Sequence, residues 1–473
     1  MSRLASQDLG QPNAFAMTTR PFAFAAAACL AVAAASLALG YEPVYDAWAW
    51  LVWGRELAGL RLDTSSGPSW KPLAVALAAP LSAAGDAAPE LWIVLIRAAW
   101  LFALVLAAEL AYTLTAGYSR TGRIVGAVFA AVSLALLHDG VTMWARQGAA
   151  GMSEPLLVAL VLGAVRAAIG DRPRLALVLG ALAALLRPEV WPLLAAYGLW
   201  RWRAAPGERA LLVVAAIAVP ALWVAPDLLS AGDALGAARR AQRDGGGPLQ
   251  AFARALVLPL AVAWPLAAYA VGGRDRRIAT LAAGVLGWIT IVVAMAAAGF
   301  PGLSRFLTPA AALAGVLGGV GLARLRPAST AVAWAAALIV LVQVPGRVAE
   351  LSHALSSTAR IGDSHERLRD LTGELGRERL LRCGRLATSD VLVRTALAWK
   401  LRVALADVVS FGRPPRYSGA FVVGVQATPA TRARLRAKAE LLGARGEWRI
   451  YSLDCPTAVA GAARSTGVSG AQR

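Results

Sequence analysis

Charge is scarce in this chain. Only 16% of its 473 residues are Asp, Glu, Lys or Arg, against roughly a quarter in soluble globular domains. Lysine occurs only at Lys71, Lys400 and Lys438, and there are three histidines. The three cysteines, Cys29, Cys383 and Cys455, exclude a disulfide-dense scaffold and a cysteine-rich zinc module. No P-loop, GxGxxG, HExxH or GxSxG stands in a usable context, which removes the common nucleotide-binding and hydrolase signatures. No fixed-period repeat is visible. Apolar residues dominate instead, at 58% with a mean hydropathy of +0.58, and that excludes a disordered chain. The formal charge of +19 would suggest nucleic acid in a soluble protein. Here the arginines punctuate long apolar runs and form no single basic stripe, so nucleic-acid binding is set aside. The composition is that of an α-helical polytopic membrane protein.

An apolar run of about 18 residues or more can cross the ~30 Å hydrocarbon core as a helix. Such runs lie at 22–40, 91–115, 122–138, 155–170, 208–226, 251–272, 278–299, 307–323 and 328–345. A further run, 175–200, is interrupted by Arg187-Pro188-Glu189. Proline suits a helix start and breaks a helix interior. The run therefore reads as two short helices, 175–187 and 188–200, and the expected total is about eleven transmembrane segments. With residues 1–21 as a cytoplasmic tail, the inner loops hold fifteen basic residues against four acids, while the outer loops hold nine against twelve. The positive-inside rule thus puts the amino terminus inside. The first run is read as a retained anchor rather than a cleaved signal, with a plasma-membrane location.

An odd number of spans places the region after 345 outside. It changes character there, with 21 basic and 11 acidic residues and only short apolar stretches. The pattern predicts a small extracytoplasmic α/β domain over 346–455, with helices at 360–376 and 429–443 and strands near 419–426 and 447–454. Cys383 and Cys455 both fall in that compartment, where disulfides persist; they form either a bridge or two free thiols. Residues 456–473, rich in Ala, Gly and Ser, read as a disordered tail.

The outer loops carry the chemistry. The segment 41–90 follows the first span and opens with Asp46, then Trp48, Trp50, Trp53, Arg55 and Glu56. That pattern predicts an amphipathic helix lying on the membrane surface. Asp46 is either held at headgroup height for chemistry or simply caps this helix. Glu154 opens a later span, eight residues after Arg146, where a carboxylate also suits the helix dipole. Arg187 and Glu189 interrupt an apolar run, and ionisable groups at that depth are either functional or paired, here Arg187 with Glu189 or with Glu154. Arg305 stands at the outer end of a span, where snorkelling is the simpler reading. Together with Lys71, these residues set carboxylates beside cations at a lipid interface. A carboxylate can take a proton from an attacking hydroxyl, and Arg or Lys can hold a departing phosphate.

The order of these features resembles that of the GT-C glycosyltransferases, the polyprenyl-phosphate-dependent group that includes protein O-mannosyltransferases and lipid A aminoarabinose transferases. Members have an acidic residue just past the first span, where Asp46 stands. A His-Pro-Pro-Leu-like tract follows, here Trp70-Lys71-Pro72-Leu73. Then come an Arg and a Thr/Ser-Asp/Glu pair, matching Arg146 and Ser153-Glu154. A Leu-Thr-Lys-Pro-like interruption matches Leu186-Arg187-Pro188, and an Arg-Tyr-Leu-Leu-Pro-like helix start matches Arg305-Phe306-Leu307-Thr308-Pro309. The resemblance covers roughly residues 20–345, the expected transmembrane domain being 22–345. Two departures stand out: Ala47 replaces a second acid often found beside the first, and Lys71 replaces the usual His.

The resemblance implies transfer of a sugar from a polyprenyl-phosphate donor to a glycan, lipid or protein acceptor on the outer face. It implies Asp46 as general base with inversion, and Lys71, Arg146, Arg187 and Arg305 at the lipid phosphate. Glu154 and Glu189 would position the acceptor or orient those cations. No cofactor is assigned, and the single acid at 46 weakens the case for a divalent metal, which wants several oxygen ligands. Two other readings stay open. One is a non-catalytic envelope-assembly protein of the same fold. The other is a secondary transporter, disfavoured because the charges gather at the outer ends and no second half echoes the first.

Overall fold

The computed structural model describes residues 19–138, 144–242, 246–325, 330–382, 384–411 and 418–453. Cys383, Cys455 and the two terminal tails lie outside the described residues. Contacts divide the chain into two units, Met1–Gly362 and Asp363–Arg473.

The first unit is helical. The opening helix α1 (Thr19–Ala35) is followed by α2 (Tyr45–Ala58), α3 (Pro72–Leu81), α4 (Ala88–Leu114) and α5 (Arg120–Ala135). Next come α6 (Trp144–Ala149), α7 (Glu154–Ile169), α8 (Pro173–Ala184), α9 (Trp191–Ala204), α10 (Arg209–Ala231) and α11 (Gly236–Ala241). The unit continues with α12 (Pro248–Val257), α13 (Ala263–Val271), α14 (Arg276–Ala297) and α15 (Thr308–Arg324). The boundary with the second unit falls inside α16 (Thr330–Leu375). Local signals set several starts. Ser119 caps α5 by accepting from the Gly122 N–H, and Asp275 caps α14 by accepting from Arg277, while proline in the first turn opens α3, α7, α8, α12 and α15.

Helix α15 is the axis of this unit, with every residue from Thr308 to Ala323 buried. Its glycines let neighbouring backbones approach, as small residues do between helices in lipid. A Cβ on Gly319 would sit 2.3 Å from the Gly126 carbonyl of α5, and one on Gly321 would sit 2.0 Å from the Leu266 carbonyl of α13.

Among the described residues, five segments are long and apolar enough to cross a membrane: Pro21–Leu39, Pro72–Leu114, Pro206–Ala231, Arg276–Ala297 and Ser304–Arg324. This is a multi-pass membrane architecture. Of the other expected spans, 328–345 falls in the 46-residue α16 and the rest are shorter helices; α5 and α7 have 16 residues each, or about 24 Å at 1.5 Å per residue. That falls short of the ~30 Å core.

Four expectations are corrected. The run 251–272 is two helices, α12 and α13, because Pro259 between them has no N–H for the ladder. The segment 41–90 is not an amphipathic surface strip. Trp48, Trp50 and Trp53 are buried, as are Ala47 before them and Ala49, Leu51 and Val52 between them, so α2 is enclosed by protein. A Cβ on Gly54 would meet the α3 backbone at Ala78 at 2.6 Å, which shows how closely α2 packs on α3. Helix α16 runs unbroken through Pro345, where a span was expected to end. Finally, the helix expected over 429–443 stops at Lys438, and Glu440–Arg445 is a strand.

The second unit begins in α16 and contains α17 (Arg377–Arg382), β1 (Arg385–Thr388), α18 (Arg394–Lys400), β2 (Val408–Ser410), β3 (Gly419–Val423), α19 (Pro429–Lys438), β4 (Glu440–Arg445) and β5 (Trp448–Leu453). The sheet order is β2-β1-β3-β5-β4. Strand β1 pairs parallel with β2 and β3, while β5 pairs antiparallel with β3 and β4. This is the small α/β unit the sequence predicted. Its core gathers Ala387, Phe411, Phe421, Val423, Leu435 and Tyr451.

The β4–β5 turn is tied to α16 by a two-pronged ion pair. Arg367 donates from Nε to Glu447 Oε2 at 3.1 Å and from a terminal nitrogen to Oε1 at 3.0 Å. This guanidinium holds the Glu447 carboxyl down at about 2, below its ordinary 4.5. A depressed carboxylate contributes stability that is complete above its unfolded value and is lost as pH falls through its folded one. Hydrogen exchange of the β4–β5 amides in the intact protein, corrected for intrinsic rates, should therefore show easier opening between about pH 4.5 and pH 2. Arg367→Met should flatten that dependence; an unchanged slope in the variant would assign it to another group.

Candidate active site

The chemistry-bearing residues of the first unit converge from five segments. Asp46 stands in the first turn of α2. Helix α2 has no side-chain cap: its cap residue is Val44, and Asp46 instead pairs with Arg305 at 3.8 Å. Arg305 belongs to the short turn Ser304–Leu307 that leads into α15. Lys71 sits in extended backbone just before α3 and Glu154 opens α7. Arg187 and Glu189 occupy the break between α8 and α9 that Pro188 enforces.

These groups form one connected cluster. Arg187 hydrogen-bonds Glu154 and lies 3.6 Å from Glu189. Lys71 Nζ lies 3.8 Å from Glu154, donates to Ser153 Oγ at 2.6 Å, and stands 4.9 Å over the Trp50 ring. Phe306 joins the two halves, with the Arg187 guanidinium 4.0 Å and that of Arg305 5.5 Å from its ring centroid. Such faces hold cations by the ring quadrupole.

Three acids face three bases, so the cluster is formally neutral. Burial grades across it. Lys71, Glu154, Arg187 and Glu189 are buried, whereas Asp46 is 25% exposed and Arg305 31%. Several buried polar atoms here have no hydrogen-bond partner: Trp50 Nε1, Glu154 Oε2, Arg187 Nε, Glu189 Oε2 and Arg305 Nε. Buried polar groups are nearly always paired, so unpaired ones gathered in one place mark a site for water or ligand. The arrangement offers cationic donors for an anion at its buried end and a solvent-reachable carboxylate at its lip.

Of the residues singled out in the sequence, Asp46, Lys71, Glu154, Arg187, Glu189 and Arg305 are brought together. The two bland readings of Arg187, pairing with Glu154 or with Glu189, both hold and coexist with cluster membership. Arg146 is exposed on α6 and is not one of the paired residues. Among the described residues no three His, Cys, Asp or Glu side chains group as a metal site. Trp50 and Ser153 were named in the sequence, one among the tryptophans after the first span and one beside Glu154, but their contacts with Lys71 were not foreseen. Phe306 likewise stood inside a motif with no assigned contact.

No protein-family model and no curated protein matches this chain by sequence. Solved structures match by shape. The crystal structure of ArnT from Cupriavidus metallidurans in the apo state aligns over 92% of this chain and 98% of that one, with a TM-score of 0.60 and 14% identity. ArnT from the same organism bound to undecaprenyl phosphate aligns over the same shares, with a TM-score of 0.59 and 13% identity. The chain shares the fold of these two ArnT structures.

Proposed function

We propose that this protein is a membrane glycosyltransferase that moves a sugar from a polyprenyl-phosphate donor to an acceptor on the outer face of the plasma membrane. The observation that carries the reading is the Asp46–Arg305 pair at the exposed lip of a buried cationic cluster. The likeness to ArnT bound to undecaprenyl phosphate supports a polyprenyl phosphate as the lipid partner. The excess of arginine in alternate loops supports an inside amino terminus and an outer α/β unit.

In this mechanism an acceptor hydroxyl attacks the anomeric carbon from the face opposite the phosphate. The new C–O bond forms as the bond to the phosphate oxygen breaks, so configuration inverts. Asp46 takes the hydroxyl proton, and the electron pair leaves with the polyprenyl phosphate. Lys71, Arg187 and Arg305 hold the charge that grows on the departing phosphate. Glu154 and Glu189 keep those cations aimed and charged, or position the acceptor. Arg146, exposed on α6, would meet the lipid headgroup only at the rim.

The test is direct. Purified protein in nanodiscs, given a polyprenyl-phosphate sugar and a hydroxyl acceptor, should release free polyprenyl phosphate with a glycoside of inverted configuration. Absence of release across hexosyl and pentosyl donors would leave a lipid-binding protein without transfer activity.

A further inference from the structure

Lys71 is the one cluster cation delivered by a long connection, the segment between α2 and α3. What holds that connection is the neighbouring helix α10, which contains Pro226 in its interior. Proline has no N–H, so the carbonyl four residues earlier, that of Leu222, receives no ladder bond from it. A freed carbonyl inside protein needs a donor. The donor is the indole of Trp70, whose Nε1 lies 3.0 Å from Leu222 O.

Trp70 directly precedes Lys71 and is buried, with its ring edge-on to Trp53 at 5.6 Å. The next turn of α10 holds the same connection further upstream. Thr64 donates its hydroxyl to the buried Asp227 and its N–H to Ser230 Oγ at 3.1 Å. On the other side of Lys71, the Leu73 N–H donates to the Leu185 carbonyl at the end of α8, at 3.2 Å. Lys71 is thus pinned between two anchors, one on each of two helices. The same device recurs beside Arg187. Pro188 denies an N–H to Ala184 O, and that carbonyl accepts from the indoles of Trp191 at 3.0 Å and Trp223 at 2.9 Å.

We infer that Pro226 and Trp70 form a latch that aims Lys71: the proline vacates the Leu222 carbonyl, and the Trp70 indole, by taking it, fixes the lysine ammonium in the phosphate-binding cluster. Trp70 is then a positioning residue for the lipid phosphate, and Pro226 acts through it. The inference rests on the lipid-phosphate reading of the cluster.

Two variants on different elements break the same bond. Trp70→Phe keeps the ring and removes the donor. Pro226→Ala restores a backbone N–H that reclaims the Leu222 carbonyl and straightens α10. The experiment measures binding of undecaprenyl phosphate to the full chain in nanodiscs for wild type, W70F, P226A and the double variant, together with KM and kcat for transfer. Each single change should weaken binding about tenfold, the scale of one hydrogen bond. kcat/KM should fall at least as much, with part of the loss in kcat, because the charge that Lys71 meets grows as the phosphate departs. The double variant should bind no more weakly than the weaker single, because coupled changes at one contact do not add. P226A should melt no lower than wild type, since a helix-interior proline is itself unfavourable; a merely structural role for Pro226 would not combine retained stability with lost affinity. Wild-type affinity in P226A, or losses that multiply to about a hundredfold in the double variant, would overturn the latch. A wild type that binds no undecaprenyl phosphate would overturn the lipid reading itself, and the latch's purpose with it.

Discussion

Asp46→Asn should abolish sugar transfer, lowering kcat/KM by about a thousandfold, the middle of the range for loss of a general base. Asparagine keeps the shape and the hydrogen-bonding capacity of the side chain but cannot take a proton. Asp46 is suited to the role because it is the most solvent-reachable acid of the cluster and does not cap α2. Stability should hardly change, since a partly exposed ion pair such as Asp46–Arg305 contributes about 0–1 kcal/mol. Transfer assays and thermal melts on the same preparations separate the two effects. Full activity in the variant would remove Asp46 from the mechanism, while a large fall in melting temperature would make it structural.

Glu154→Gln carries the largest stability effect. Glu154 is 1% exposed and faces both Lys71 and Arg187. Removing its charge leaves two buried cations with Glu189 as the remaining buried acid of the cluster. Breaking one partner of a buried pair costs about 3–5 kcal/mol, because the other charge stays desolvated. Denaturation of the variant in detergent should report that loss. A second change, Glu154→Gln with Lys71→Met, should recover part of it by removing one unpaired cation. That recovery would identify charge imbalance, rather than a packing defect, as the cause. Equal stability of E154Q and wild type would mean that water reaches the cluster freely and screens it.

The sequence named the members of this cluster but, apart from the pairings of Arg187 with Glu154 and Glu189, not their mutual contacts. Pro188 and the charges beside it announced a break in an apolar run, and the break is there. Arg187-Glu189 could be seen to interrupt hydrocarbon-length sequence because ionisable groups at that depth are expensive. The bracing of Arg187 and Arg305 on one Phe306 ring was invisible, because residues 187 and 306 are joined only by the path of the chain between them. The surface-helix expectation for α2 failed for a related reason. Its three tryptophans read as one face of an amphipathic helix, but α3 and its neighbours cover the helix all round. Burial on every side is decided by partners, not by periodicity. At β4, helical pattern over 429–443 lost to pairing with β5, a contact that only tertiary structure supplies.

The sequence by itself determined the membrane class, the positions of most apolar helices and the small α/β unit that follows them. Hydropathy and proline act locally, on the segment that contains them, so they can be read along the chain. Only the tertiary structure decided that Asp46 faces Arg305, that the Trp70 indole beside Lys71 bonds the Leu222 carbonyl 152 residues away, and that three acids and three bases share one neutral cluster. Those contacts are short-ranged in space and long-ranged in sequence, and packing among helices alone brings such groups within bonding distance.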